Sequence, residues 1–506
     1  MPRPDGLDPQ RHGRHTGRVT RHPAGAIPVA LIAAAGGLVR VAGVVLRRPW
    51  HDEYFTAWVT SLPWRELVPA LAQDSGPPLP YVLAKLLASC GVGELAAART
   101  LPVVVGTLAI LVVARAAATT AGTHAAAWAA AVLAFHPLAL AWSCEGRAYA
   151  YLLLGAALVW DGMAALVAQQ RGAGKLALGA TLALWSHGLG VILLAVTLPA
   201  ALLVPTAMRR RLLTAAGAAT LAFLAWLPVM LQQPPASVAW MQRAWQALPD
   251  GRAAVAAVEL LVPAGRFGHA LDLPSAPLLA TVASLAAALV LIATALAALR
   301  RRALLALYLA AAPALALSIL AALALPVFYP GRGEALYLAP VIGLLACGAA
   351  RGGAAPPLAA LLVAAGVVMS GLALAGWRST PPRAEEHLAT AVRSYLPEGA
   401  TVLIEGYWRL GLWYHLGEHR SRFDVHIFPP AADAHPGWYE GGGTTEEAEA
   451  ARRQLVRGIE RGNEVACILP PPQVNSALRA AAAAAGLTPV ARTAAWDLWI
   501  RRGSIR

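Results

Sequence analysis

From Ile27 onward the chain runs in long apolar stretches broken by short polar segments. Stretches of about 20 apolar residues are long enough to cross a bilayer as helices. The first spans 27–46 and ends at Arg47-Arg48-Pro49-Trp50. A cleaved signal peptide is the competing reading, but Arg40 interrupts the run and no small-residue cleavage site closes it. Basic punctuation then sets the sidedness, because short Lys/Arg-bearing loops stay in the cytoplasm. Arg171 with Lys175, Arg209-Arg210-Arg211, Arg300-Arg301-Arg302 and Arg351 each lie between apolar stretches. Placing them inside orders helices at 147–168, 175–187, 188–207, 212–231, 276–299, 303–325, 334–350 and 355–376. The same parity puts Trp142–Arg147 outside, the 118–123 loop inside beside Arg115, and Glu94–Arg99 outside. The stretch 78–92 then has both ends outside, and its 15 residues are too few to span.

The expected fold is an α-helical polytopic membrane bundle of about 11 crossings plus that short non-spanning outer segment. Residues 1–25, with Arg3, Arg11, Arg14, Arg18 and Arg21, read as a cytoplasmic basic tail. Residues 26–377 read as the membrane domain, with an outer-face first loop at 47–80. After Trp377 the pattern becomes mixed and polar. It predicts a helix near 384–396, a strand TVLIEGY from Thr401, a helix 444–461, a strand EVACILP from Glu464, a helix near 475–485 and a final AWDLWI strand. Alternating strands and helices predict a small C-terminal soluble α/β domain over 378–506, extracytoplasmic by parity. Its Gly441-Gly442-Gly443 run reads as a loop, without the strand–turn–helix setting of a phosphate-binding fingerprint.

Composition agrees with the pattern. The chain is 58% hydrophobic and 13% charged, against roughly 25% charged in soluble chains, so a soluble enzyme or a disordered chain is excluded up to residue 377. The excess of Lys+Arg (41) over Asp+Glu (27) gives +14. Many of the basic residues lie in the tail and loops, so the total does not describe a nucleic-acid groove. Cys90, Cys144, Cys347 and Cys467 form no CxxC pair, which supports neither a disulfide framework nor a zinc knuckle.

The candidate chemistry gathers on the outer face. Asp52 and Glu53 follow Arg47 and Arg48 among Trp50, Tyr54, Phe55, Trp58 and Trp64. Acids in a first helical turn also complement the helix dipole, and aromatic belts account for some of the rings but not for the acids. A second outer segment, HPLALAWSCEGRAYAYLLL from His136, carries Glu145, Arg147 and Tyr149; a self-neutralising Glu–Arg pair is the plainer reading. A third, PVFYPGRGEALYLAP, supplies Arg332 and Glu334. His187 falls at an outer turn, as a local hydrogen-bonding residue or as a titrating one. In the C-terminal region Trp408, Trp413, Tyr414, Trp438 and Tyr439 could pack in a core or stack on a sugar.

Carboxylates, arginines and aromatics around one face of an apolar bundle suit glycosyl transfer from a lipid-linked phosphate. A carboxylate can take the acceptor hydroxyl's proton, and arginine can hold the departing phosphate.

Asp52-Glu53-Tyr54, then DSGPPLPY, then WSCEGRAYAYLLL resemble the bacterial dolichyl-phosphate-mannose-type protein mannosyltransferase family. Its relatives are the aminoarabinose transferase of lipid A and other polyprenyl-phosphate-sugar transferases of the C superfamily. The resemblance is most specific from Trp50 to Tyr151. It implies an inverting membrane glycosyltransferase with Asp52 as base, Glu53 beside it, and a second acidic site at Glu145 followed by Arg147 and Tyr149. Substrate contacts are expected from Arg47, Arg48, Arg147, Tyr54, Tyr149, His187 and Arg332. Two departures stand out: Gly76 replaces the family's histidine before Pro77-Pro78, and the late Arg-Tyr pairing is Arg332-Gly333-Glu334. The expected partners are a polyprenyl-phosphate sugar donor, membrane lipids and an extracytoplasmic protein, lipid or glycan acceptor, with no nucleic acid. No cofactor is assigned, and a divalent metal is compatible with the acids. A transporter or flippase for a lipid-linked or polymeric substrate is the alternative, but it predicts matching halves with midplane charges. Here the acids cluster at one face and no repeat is evident. A third reading, a membrane scaffold with a binding domain, predicts tolerance of changes at Asp52.

Overall fold

The computed structural model describes residues 26–235, 237–238, 273–299, 301–323, 331–429, 445–461, 463–471 and 476–501, with a few single positions besides. The basic tail 1–25, Arg300, residues 326–330, Trp438, Tyr439 and Gly441-Gly442-Gly443 lie outside these.

The first part is helical. Helix α1 (Ala26–Leu46) leads to three short helices, α2 (His51–Ser61), α3 (Trp64–Ala72) and α4 (Leu79–Ala88). There follow α5 (Glu94–Ala121), α6 (Thr123–Ala134), α7 (Pro137–Ser143), α8 (Tyr149–Val167), α9 (Ala173–Ser186) and α10 (Gly190–Thr197). A 3₁₀ turn (Pro199–Leu203) precedes α11 (Thr206–Leu224), and the bundle closes with α12 (Leu278–Leu299), α13 (Arg301–Ala322), α14 (Leu338–Ala349) and α15 (Ala355–Ser379).

Among the described residues six helices are long and apolar enough to cross a membrane, or seven if α6 and α7, bent by 63° at their junction, count as one. The sequence expectation of eleven thus exceeds the helices that qualify by length and composition alone. Several expected stretches are shorter in the structure. The 188–207 stretch is the eight-residue α10 plus a 3₁₀ turn, and 334–350 divides into a 3₁₀ turn (Gly333–Leu336) and the twelve-residue α14. Arg209-Arg210-Arg211 are not a loop: they belong to α11, which begins three residues earlier at Thr206. The 78–92 stretch holds α4, ten residues and about 15 Å long, against a hydrocarbon thickness of about 30 Å.

Helix α8 is almost wholly buried and packs along α5 and α9. Glycines permit the approach: a Cβ on Gly155 would meet the Gly179 carbonyl at 2.8 Å, and one on Gly179 would meet the Gly155 carbonyl at 2.6 Å. Such small-residue contacts let helix backbones close without a hydrophobic driving force.

The α6–α7 bend follows from Pro137, which has no N–H for the Leu133 carbonyl. The buried Arg40 of α1 supplies the missing donors. Its Nη2 donates to Leu133 O at 3.2 Å, its Nη1 to Ala134 O and Gly36 O at 2.9 Å each, and its Nε to Ser143 Oγ at 3.1 Å. A basic residue within an apolar helix thereby seals a helix break.

After α15 come α16 (Ala384–Tyr395), β1 (Thr401–Glu405), α17 (Arg409–Leu416), β2 (Asp424–Phe428), α18 (Thr445–Glu460), β3 (Val465–Leu469), α19 (Ala477–Ala484), β4 (Thr488–Arg492) and β5 (Asp497–Ile500). The sheet order is β2-β1-β3-β5-β4, with β1 parallel to β2 and β3, and β5 antiparallel to β3 and β4. Alternation along β1 sends Val402 and Ile404 into the core beneath α16 and α17, and Leu403 into the one beneath α18 and α19. Three strands are expected from the pattern, and β2 and β4 are additional. Both are partly exposed edge strands, so their sequences lack a continuous apolar run.

Arg40→Leu removes the side-chain donors at the break and leaves the Ala134 carbonyl without one, while Leu133 O keeps the His136 N–H; the cost is on the order of 3 kcal/mol. Thermal unfolding in detergent should show a lowered midpoint; an unchanged midpoint would mean that the bend does not depend on Arg40.

Candidate functional site

The site is built around the start of α2. Glu53 and Asp52 are neighbours in its first turn, so their side chains leave the helix about 100° apart. Glu53 points inward and is fully buried. Its Oε1 accepts from the Gly146 N–H at 2.8 Å and pairs with Arg99 Nε at 2.9 Å. Arg99, from α5, also donates through Nη2 to the carbonyls of Arg47 at 2.8 Å and Cys144 at 3.3 Å. Four chain segments are thus tied at one buried point.

Asp52 points the other way and keeps 24% of its side chain exposed. Two guanidiniums from distant segments face its Oδ2, Arg147 Nε at 3.8 Å and Arg332 Nη1 at 3.6 Å. Arg332 lies over the rings of Trp50 (5.0 Å) and Tyr149 (5.5 Å), and Arg147 Nη1 reaches the Tyr81 hydroxyl at 3.3 Å. The Tyr81 hydroxyl in turn donates to Asp74 Oδ2 at 3.3 Å.

Beside this cluster is a cavity of about 450 Å³, counting the space that opens out of it. Arg147, Tyr149, Tyr81, Ser186, His187 and the Ser75-Gly76-Pro77 turn line it. The His187 ring sits 5.4 Å from Tyr149, and its Nδ1 accepts the Leu189 N–H at 3.1 Å. Burial, and then the nearby Arg147 and Arg332, hold the His187 imidazole down to about 3, so it is neutral at physiological pH.

Of the residues expected from the sequence, Asp52, Arg147, Tyr149, His187 and Arg332 therefore come together. Glu53 lies beneath them in the buried knot. Glu145 is fully buried and pairs with Arg47 at 3.8 Å, behind the cavity wall. Burial pushes its carboxyl up to about 7, against the lowering by Arg47 and Arg332. Arg48 and Tyr54 are not brought to the cluster. Arg48 pairs with Glu386 of α16 at 3.3 Å, and the Tyr54 hydroxyl meets His415 Nε2 of α17 at 2.7 Å. They join the helical bundle to the sheet-bearing part. Trp413 and Tyr414 pack against the bundle core and Trp408 against the sheet core.

Sequence reasoning missed Arg99, Asp74, Tyr81 and Ser186. Arg99 carried a usable signal, since a charge in an apolar helix implies a partner. No group of three or more His, Cys, Asp or Glu side chains that could hold a metal occurs among the described residues. Glu53, Glu145 and Asp52 each face a guanidinium.

No protein-family model matches the chain, and no curated protein sequence matches it significantly. Its fold is similar to that of solved structures. A crystal structure of ArnT from Cupriavidus metallidurans bound to undecaprenyl phosphate superposes with a TM-score of 0.62 at 16% identity, covering 94% of this chain and 98% of that one. The apo form of the same protein gives 0.62 at 15% identity, with the same coverage. The apo oligosaccharyltransferase of Archaeoglobus fulgidus gives 0.49 at 14% identity, covering 89% of this chain and 70% of that one. The likeness to ArnT extends over the whole fold.

Glu334, just after Arg332, is buried, and burial pushes its carboxyl up to about 7. A carboxyl raised on folding holds its proton longer when folded than when unfolded. Its contribution is complete below the unfolded value near 4.5 and is lost as pH rises through about 7. Thermal stability in detergent should fall over that window, and Glu334→Gln should flatten the fall. An identical pH profile in the variant would remove Glu334 as its source.

Proposed function

We propose that the chain is an integral-membrane glycosyltransferase that moves a sugar from a polyprenyl-phosphate donor to an extracytoplasmic acceptor hydroxyl with inversion. The observation that carries this reading is the convergence of Arg147 and Arg332 on Asp52 beside a cavity at the bundle's edge. Undecaprenyl phosphate, which the ArnT crystal structure holds, is a donor lipid of the required class.

In this reading a donor phosphate enters between the two guanidiniums and competes with Asp52 for them. Charge-assisted pairing lets the two unbridged oxygens of the phosphodiester take up the guanidiniums in its place. Asp52, no longer held by both, accepts the proton of the acceptor hydroxyl as that oxygen attacks the anomeric carbon. The bond from that carbon to the phosphate oxygen breaks, and its electron pair leaves on the polyprenyl phosphate, held by Arg147 and Arg332. One displacement inverts the anomeric configuration. Glu53 holds α2 and the 144–148 loop in register. Glu145 acts with Arg47 as a buried support.

The same reading sets the topology. The α6–α7 pair, α9, the α10 segment, α11 and α14 join the six longer helices to make eleven crossings, and α4 dips in from outside. Arg171, Lys175, Arg209 and Arg351 then share the cytoplasmic side with residues 1–25. The site and the 378–506 domain lie outside, where Arg48–Glu386 and Tyr54–His415 hold that domain over α2 for acceptor recognition.

Purified protein incubated with polyprenyl-phosphate sugars and candidate acceptors should yield glycosylated acceptor and free polyprenyl phosphate by mass spectrometry. Asp52→Asn, nearly isosteric, should lower transfer by at least about 100-fold while the protein stays folded. Near-normal turnover in that variant would refute the base assignment. Arg332→Ala should weaken donor use by a few kcal/mol, about 100-fold. Unchanged donor affinity and turnover would leave Arg332 as an interfacial anchor only.

A further inference from the structure

We infer that the cavity beside Asp52 is the sugar subsite and that it takes a polyhydroxylated sugar without a cationic amino group. This rests on the glycosyltransferase reading above and names the chemistry of its donor. Two groups on one wall define the subsite. Ser186 is 1% exposed, and its Oγ has no hydrogen-bond partner among the described residues. It is the last residue of α9 and lines the cavity. A buried hydroxyl with nothing to bond costs free energy unless something entering the cavity satisfies it.

The adjacent His187 is oriented by the chain itself. Its Nδ1 accepts the Leu189 N–H at 3.1 Å, so the neutral ring carries its proton on Nε2, as a donor. A hydroxyl that can accept and donate, next to a fixed neutral donor, matches sugar hydroxyls.

The charges exclude a cation. No carboxylate lines the cavity among the described residues, and its one charged lining side chain is Arg147. The nearest acids are already engaged: Asp52 with both guanidiniums, and Asp74, behind Gly76, with the Tyr81 hydroxyl. An ammonium group there would lose its hydration and face Arg147, and no carboxylate among the lining residues would offset that. The suppressed protonation of His187 has the same origin, burial first and then Arg147 and Arg332.

The test uses full-length protein and three probes: undecaprenyl phosphate, an undecaprenyl-phosphate hexose, and the same hexose with one hydroxyl replaced by a primary amine. Affinities would be measured by displacement of labelled undecaprenyl phosphate at about pH 6, below the ~7.7 typical of an α-amino group. The hydroxyl form should bind about tenfold or more tighter than the amine form. The gap should narrow as rising pH removes the amine's charge, which separates charge from shape. Ser186→Ala should reduce the advantage of the hexose lipid over bare undecaprenyl phosphate. Equal or tighter binding of the amine form at acid pH, with undecaprenyl phosphate still bound, would overturn this inference and leave the glycosyltransferase reading standing. A hexose lipid no tighter than the bare lipid phosphate would remove the cavity as a sugar subsite. Failure to bind undecaprenyl phosphate at all would overturn the functional reading and this inference with it.

Discussion

A single buried carboxylate holds the site in shape. Glu53 receives the Gly146 N–H and the Arg99 guanidinium on one oxygen, and Arg99 reaches on to the carbonyls of Arg47 and Cys144. The end of α1, the start of α2, the first turns of α5 and the 144–148 loop therefore share one electrostatic knot. A buried ion pair contributes modestly over an apolar packing of the same volume, but breaking it costs roughly 3–5 kcal/mol. Its value here is geometric. Since Asp52 directly precedes Glu53 in α2, fixing Glu53 inward fixes Asp52 outward, and holding Gly146 fixes Arg147 opposite it.

That knot depends in turn on the helix break one layer deeper. The 144–148 loop can meet α2 only because α7 turns away from α6 at Pro137, and the turn is tolerable because Arg40 satisfies the carbonyls it strands. Close packing sharpens the constraint. A Cβ on Gly106 would strike Ser143 Oγ, and one on Gly43 would strike Cys144 Sγ. Arg40, set in the apolar α1, and Glu53, in the first turn of α2, thus solve linked problems: the first lets the chain bend, and the second uses the bend to place Arg147.

Much of this was legible in the sequence. The hydropathy pattern reveals a helical membrane bundle followed by an α/β region, and the segment from Trp50 to Tyr151 contains Asp52, Arg147 and Tyr149 in the order the site uses. What escaped reading was tertiary. Arg99 lies 46 residues beyond Glu53, and Arg48 finds its partner 338 residues away in Glu386. No spacing rule connects such residues. Hydropathy also measures composition and not length, so it does not show that α10 and α14 are helices of only eight and twelve residues. Gly76 illustrates the opposite case. The departure visible in the sequence has a counterpart in space, where a Cβ at that position would meet Asp74 Oδ2 and the Tyr81 hydroxyl at 3.3 Å.

The arrangement separates two electrostatic tasks within a few residues. On one side Arg147 and Arg332 concentrate positive charge, and Asp52 offsets it at distances near the limit of an ion pair. Such a loosely held carboxylate can be exchanged for a better-matched anion, whereas Glu53, at 2.9 Å from Arg99 and shut off from solvent, cannot. On the other side Ser186 and His187 present neutral polar groups within the reach of the same positive field. Arg147 belongs to both, lining the cavity and facing Asp52. Moving the 144–148 loop would therefore disturb the anion side and the neutral side together. It is the buried Glu53, which never reaches the cavity, that prevents this.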